Sequence, residues 1–143
     1  MIVPDTNLLV FAYDQTSPHH DRARSWWEHC LNGRETVGIP EVVCMAFVRL
    51  GTHPTLHENP MDIEQATGIV RRWFECPQVS PLLGRETTLP RAWNLLEQAG
   101  RGGNLTTDSW VAALAVEADA VLHTHDTGFA VFPGLRWKNP LKK

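Results

Sequence analysis

The sequence predicts an α/β fold. One domain, residues 1–143, carries a central parallel β-sheet of four to five short strands with helices on both faces. Three observations lead there. Short apolar runs bounded by turn residues alternate with stretches of helical period, the pattern that builds a parallel sheet. Residues 110–118 are apolar on nearly every side, as a buried helix must be. Acids stand just behind three of the apolar runs, at Asp5, Glu41 and Asp126, on the edge where open α/β sheets bind ligands.

The elements follow in order. Residues 2–4, Ile-Val-Pro, open as a strand; Asp5-Thr6-Asn7 interrupt, and residues 8–13 are apolar again. Ser17-Pro18 is a helix entry signal. Ala23, Trp26, Trp27, Cys30 and Leu31 then recur on a 3.6-residue period, with Gly33 placed to end the helix. Residues 36–39 read as a second strand and residues 41–50 as a helix closed by Gly51. Asp62 begins a helix whose stripe is Ile63, Ala66, Ile69, Val70 and Trp73. Residues 78–82 form a third strand. Leu89, Ala92, Trp93, Leu96 and Ala99 mark another helix, broken by Gly100-Arg101-Gly102-Gly103. Thr107-Asp108 opens the buried helix. Residues 120–124 are a strand, residues 125–132 a loop, and residues 135–138 a last strand. Trp26, Trp27, Trp73 and Trp93 are assigned to the core.

Composition bounds the function. At 43% hydrophobic and 20% charged residues the chain is an ordinary globular one. No apolar run approaches 18 residues, and the start lacks a basic, cleavable leader, so a cytoplasmic protein with no membrane span is expected. The odd set Cys30, Cys44 and Cys76 reads as structural thiols in a reducing compartment. A net charge of −3 argues against a broadly basic nucleic-acid surface. It leaves nucleic acid open, because cations held by carboxylates reverse the local field.

Four acids share one context. Asp5 and Glu41 follow the first two strands, Asp108 opens the buried helix, and Asp126 follows the fourth strand. Carboxylates gathered there repel unless a hard cation compensates, and oxygen ligands select Mg²⁺ or Mn²⁺. The residues thus point to metal-dependent phosphoryl transfer, hydrolytic in kind. Each acid also has a plain role: Glu41 and Asp108 suit helix starts, and Asp5 and Asp126 suit turns. Thr6 offers a hydroxyl to the site or fixes the Asp5 turn. Asn104 orients Asp108 or shapes its turn. His123 and His125 read as a strand-edge pair, since no third ligand has the spacing of a transition-metal site, and His19-His20 as a solvated helix start. An aspartyl phosphotransferase fits less well, because Asn7 stands where a second aspartate is wanted and all three lysines lie in the last six residues.

Three segments resemble a known family. The opening IVPDTNLLVFAY is similar to the start of a PIN domain. FVRLGTHP, residues 47–54, and the long segment from GNLTTDSW to WKNPL, residues 103–141, resemble VapC toxins of VapBC toxin–antitoxin systems. The resemblance implies a PIN-like fold, a Mg²⁺- or Mn²⁺-dependent endoribonuclease, an RNA substrate, a cognate VapB-type antitoxin and a homodimer. It matches Asp5, Asp108 and Asp126 to the first, third and fourth metal-binding acids, with Thr6 and Asn104 in support. Two departures stand out. The family's in-helix second acid is missing from Met45-Ala46-Phe47-Val48-Arg49, and Gly128 replaces a further aspartate. Glu41, five residues before Ala46, is the candidate replacement. A degenerate PIN domain that binds RNA or a protein without cutting is the alternative.

Overall fold

The computed structural model describes residues 1–142. At its centre lie β1 (Ile2–Pro4), β2 (Val37–Pro40), β3 (Val79–Leu82), β4 (Val121–His123) and β5 (Arg136–Lys138). All neighbouring strands pair in parallel, in the order β3-β2-β1-β4-β5. The helices are α1 (Thr6–Tyr13), α2 (His20–Asn32), α3 (Glu41–Gly51), α4 (Ile63–Trp73), α5 (Thr88–Ala99) and α6 (Leu105–Glu117), and a 3-10 helix spans Thr127–Val131. The predicted α/β fold with a parallel sheet is therefore present.

Topology explains the layers. Right-handed crossovers from β1 out to β2 and β3 lay α1 to α4 on one face. The return from β3 to β4 lays α5 and α6 on the other. Strand order reverses at β1, so a crevice opens at the carboxyl ends of β1 and β4. Every residue of β1 and β2 is buried, which is why these strands are continuously apolar rather than alternating. The outer strands are wetter. Pro81 in β3 cannot donate a ladder bond, and Arg136 and Lys138 in β5 are exposed; both devices blunt sheet edges.

Trp27, Phe47 and Trp73 pack edge to face, with Trp73 5.4 Å from Trp27 and 4.8 Å from Phe47. Trp73 Nε1 also donates to the Tyr13 hydroxyl at 2.9 Å. Helix α6 buries Ser109 and the run from Val111 to Ala115. A side chain at Gly84 would meet the Trp110 ring at 2.6 Å, so the loop after β3 lies flat against α6.

Two expectations, the start of the buried helix and the core place of Trp93, are revised, and two other elements gain definition. Residues 8–13, left unassigned, belong to α1, whose first turn is fixed by Asp5 accepting from the Thr6 N–H. Helix α6 begins at Leu105, not Thr107, because Leu105 is drawn into the core and the Gly102 and Gly103 carbonyls accept from Leu105 and Thr106 N–H. Gly33 ends α2 in extended backbone, whereas Gly100 ends α5 in the left-handed conformation. Trp93 is 55% exposed, since α5 turns Ala92 and Leu95 inward instead. The cysteines are free. Burial pushes the Cys30 thiol up to about 12, with Glu35 adding, and the Cys44 thiol up to about 11, with Glu41 adding, so both are unreactive.

Candidate active site

Asp5 leaves β1 at the crevice. Its backbone N–H donates to the His123 carbonyl at 2.9 Å, extending the β1–β4 ladder by one residue. Its Oδ1 accepts from Thr6 N–H at 2.8 Å, and its Oδ2 accepts from the Thr124 hydroxyl at 2.6 Å. That hydroxyl also accepts from Asp126 N–H at 2.9 Å. Thr124 is wholly buried, so one sequestered hydroxyl ties the β1 acid to the loop carrying Asp126. Asp126 in turn accepts from Gly128 N–H at 2.8 Å and starts the 3-10 helix. A Cβ at residue 128 would stand 2.9 Å from the Asp126 carboxylate, so the glycine leaves room for that turn.

Asp108 is the fourth residue of α6, closing its first turn. It is not the cap. Burial, then Asp5, then Asp126 push its carboxyl up to about 6. Asp5 is also raised, chiefly by burial; its hydrogen bonds from Thr124 and Thr6 oppose this, and Asp126 adds to it. Asp5 and Asp108 are thus raised first by their own burial, with the exposed Asp126 adding like charge to both.

The donor set offers carboxylate oxygens of the kind a divalent cation takes. Among the described residues, no three acid, histidine or cysteine side chains form a ready-made cage. Mg²⁺ needs none: it takes one or two carboxylates directly and keeps several waters. Mutually repelling oxygens of this kind are what a hard cation relieves. The trio fits Mg²⁺ or Mn²⁺ with part of its contacts through water.

The other candidates fall elsewhere. Glu41 is the exposed first residue of α3. It borders an apolar cleft with Cys44, Met45, Phe74 and Val79 to Pro81. The structure does not bring it into the set of acids that raise Asp108. Thr6 meets Asp5 through its backbone N–H. Asn104 precedes α6, exposed, with no side-chain capping bond.

His123 is buried and accepts from Trp26 Nε1 at 3.0 Å. Burial, the Lys138 ammonium and the amino terminus hold it down to about 4, so it is a neutral structural acceptor. His19 and His20 are half-buried rather than solvated. His20 Nδ1 lies 2.9 Å from the Phe11 carbonyl.

Thr124 escaped the sequence reading. Its signal lay in pairing: Pro4 sits opposite His123, which sets Asp5 beside Thr124.

Known proteins share this architecture. Residues 2–135 match the PIN domain family. Ribonuclease VapC33 of Mycobacterium tuberculosis is 36% identical over 143 residues, covering 100% of both chains. Ribonuclease VapC37 of the same species is also 36% identical over 143 residues, covering 98% of this chain and 97% of its own. Among solved structures, VapBC2 from Rickettsia felis, bound to a DNA fragment from its promoter, gives a TM-score of 0.69. It is 22% identical and covers 97% of this chain and 98% of that one. The sarcin-ricin loop cleaving toxin VapC20 of Mycobacterium tuberculosis gives 0.70 at 15% identity, covering 95% and 99%; both likenesses bear on the fold. By sequence and by architecture, the chain belongs to the PIN-domain family and to its VapC ribonuclease group.

Proposed function

We propose that this protein is a metal-dependent endoribonuclease and the toxin of a type II toxin–antitoxin pair. The observation that carries the reading is the gathering of acids at the strand ends: the Thr124 hydroxyl ties Asp5 to the Asp126 loop, and burial first, then Asp5 and Asp126, raise the Asp108 carboxyl to about 6. Full-length relatives named as VapC ribonucleases support it. Asp5 and Asp108 would hold Mg²⁺ or Mn²⁺, with Asp126 directly or through water. Bound there, the ion supplies charge neutralisation and Lewis-acid activation for phosphodiester hydrolysis.

The chain's own residues do the rest. Thr124 holds the Asp5 carboxylate and the Asp126 backbone in one frame. Partial burial of Asp5 and Asp108 withholds solvation from these two acids, which preserves their demand for a cation. Glu41 stays an outer charge of the rim, and Asn104 a residue of the turn before α6.

An RNA substrate and a VapB-type antitoxin follow from the same reading; structural relatives include VapBC assemblies. A homodimer has apolar surface available, since Leu83, Leu89 and Trp93 are exposed. The free cysteines suit the reducing cytoplasm. Among the described residues no helix is long and apolar enough to cross a membrane.

The test is cleavage of RNA by purified protein with and without Mg²⁺ or Mn²⁺. Cleavage should require the ion and vanish in Asp5→Asn, whose fold is retained by circular dichroism. Full activity in Asp5→Asn would refute the reading. RNA binding without turnover in the wild type would favour the degenerate alternative.

A further inference from the structure

Beside Asp126 the rim carries a cluster of rings outside the acid trio. His125 lies in the chain between Thr124 and Asp126. Its imidazole meets that of His19 at 4.4 Å between centroids, the planes inclined by 51°. Phe11 backs both, 4.8 Å from His19 and edge-on to His125 at 5.6 Å. All three are half-buried, unlike the fully enclosed cluster of Trp27, Phe47 and Trp73.

The rings are held from behind. Asn139 Oδ1 accepts from Leu141 N–H at 3.0 Å, so its amide nitrogen faces His125 Nδ1 at 3.1 Å and donates. The neutral His125 ring then carries its proton on Nε2. Ser17 Oγ accepts from His19 N–H at 3.1 Å, and His20 meets the Phe11 carbonyl. Asn139 fixes the His125 imidazole before any ligand arrives, which lowers the entropic cost of binding. A half-open group of rings beside the proposed phosphodiester-cleaving centre suits a nucleobase. Single-stranded RNA is read by stacking unpaired bases on aromatic and histidine side chains.

We propose that His125 and His19, backed by Phe11, form a stacking subsite for the nucleobase flanking the phosphodiester held at the aspartate trio. The proposal rests on the ribonuclease reading and adds to it a named contact with one base.

A thermodynamic cycle tests it. Binding is measured in an Asp5→Asn background to single-stranded RNA oligonucleotides in which one abasic nucleotide is walked past the cleavage position. Stacking is worth about 1–3 kcal/mol per base, so removing the right base should weaken binding about tenfold. In His125→Ala or His19→Ala the same abasic substitution should cost almost nothing, while His125→Phe should restore the loss. With the catalytic residues intact, His125→Ala should raise KM about tenfold with little change in kcat or in Mn²⁺ affinity. Equal abasic penalties with and without the imidazoles would overturn the subsite, since rings that only pack the loop have no such coupling. If the wild type cleaves RNA but no abasic position matters, the subsite alone falls. If it neither binds nor cleaves RNA, the ribonuclease reading falls with it.

Discussion

Helix α6 carries a carboxylate near each end, and the two are treated in opposite ways. Asp108 stands in the first turn, where the helix dipole favours an acid; Glu117 is the last residue, where the dipole opposes one. Yet Asp108 is raised to about 6 and Glu117 is lowered. Surroundings decide. Asp108 is raised by burial first, and then by two more acids. For Glu117, burial works upward, but the hydroxyls of Thr87 and Thr88 and the guanidiniums of Arg85 and Arg91 outweigh it. One end of the helix is a satisfied staple to α5. The other holds a carboxylate raised by burial and by like charges, the pattern that makes it the candidate site.

The comparison breaks first at Asp108. Asp108→Asn should cut metal-dependent RNA cleavage by about 100-fold or more, as for loss of a principal electrostatic group. The same change should stabilise the metal-free protein. The folded carboxyl is raised above its ordinary 3.8, so wild-type folding is penalised above pH 6 and the penalty fades as pH falls toward 4. Thermal melts in chelator should show Asp108→Asn ahead by about 1–3 kcal/mol at pH 7.5 and level with wild type near pH 4. A variant that melts early at pH 7.5 would contradict the stored repulsion.

At the other end the sign reverses. Glu117→Ala should cost about 2–3 kcal/mol in urea unfolding, because it strands donors that now share a buried acceptor. Activity per folded molecule should hold. The lowered carboxyl contributes stability present above pH 4.5 and lost as pH falls through its folded value, so the gap to wild type should narrow in acid.

A finer contrast uses two threonines, both wholly buried, each donating to one of these carboxylate systems: Thr124 to Asp5 and Thr88 to Glu117. Thr124→Val should lower kcat about tenfold, equivalent to one lost hydrogen bond to a charged group, with Thr124→Ser restoring it. Thr88→Val should lower the melting temperature and leave kcat alone. Equal effects of the two valines on kcat would show that Thr124 only supports the fold.

The smallest effect is expected at Glu41. Exposed at the head of α3, it should tolerate Glu41→Gln with less than about a threefold change in cleavage, the scale of a screened surface charge. A loss near that of Asp108→Asn would place it in the centre after all.

Much of this was readable in the chain. No acid stands out alone: the shared strand-end context of Asp5, Asp126 and Asp108, with the apolar run behind Asp108, makes them candidates together. Sheet and helix alternation gave the architecture, because β1 and β2 are buried on both faces and so advertise themselves as unbroken apolar runs. What stayed hidden depends on partners distant in sequence. Thr124 gains its role through a strand pairing with residues near the amino terminus. Glu117 gains its role from Thr88 and Arg91 of α5 and from Arg85 and Thr87 just before that helix. Trp93 shares its helical stripe with residues that turn inward, and only the packing of α5 on α6 decides that it faces water.

The bridge from Thr124 to Asp5 also orders events in time. Translation delivers Asp5 among the first residues and Thr124 and Asp126 only near the end. Until β4 has left the ribosome and slotted beside β1, Asp5 lacks both its hydroxyl donor and its neighbouring acid. The pairing of β4 beside β1 is therefore the folding step that completes the hydrogen bonding of Asp5.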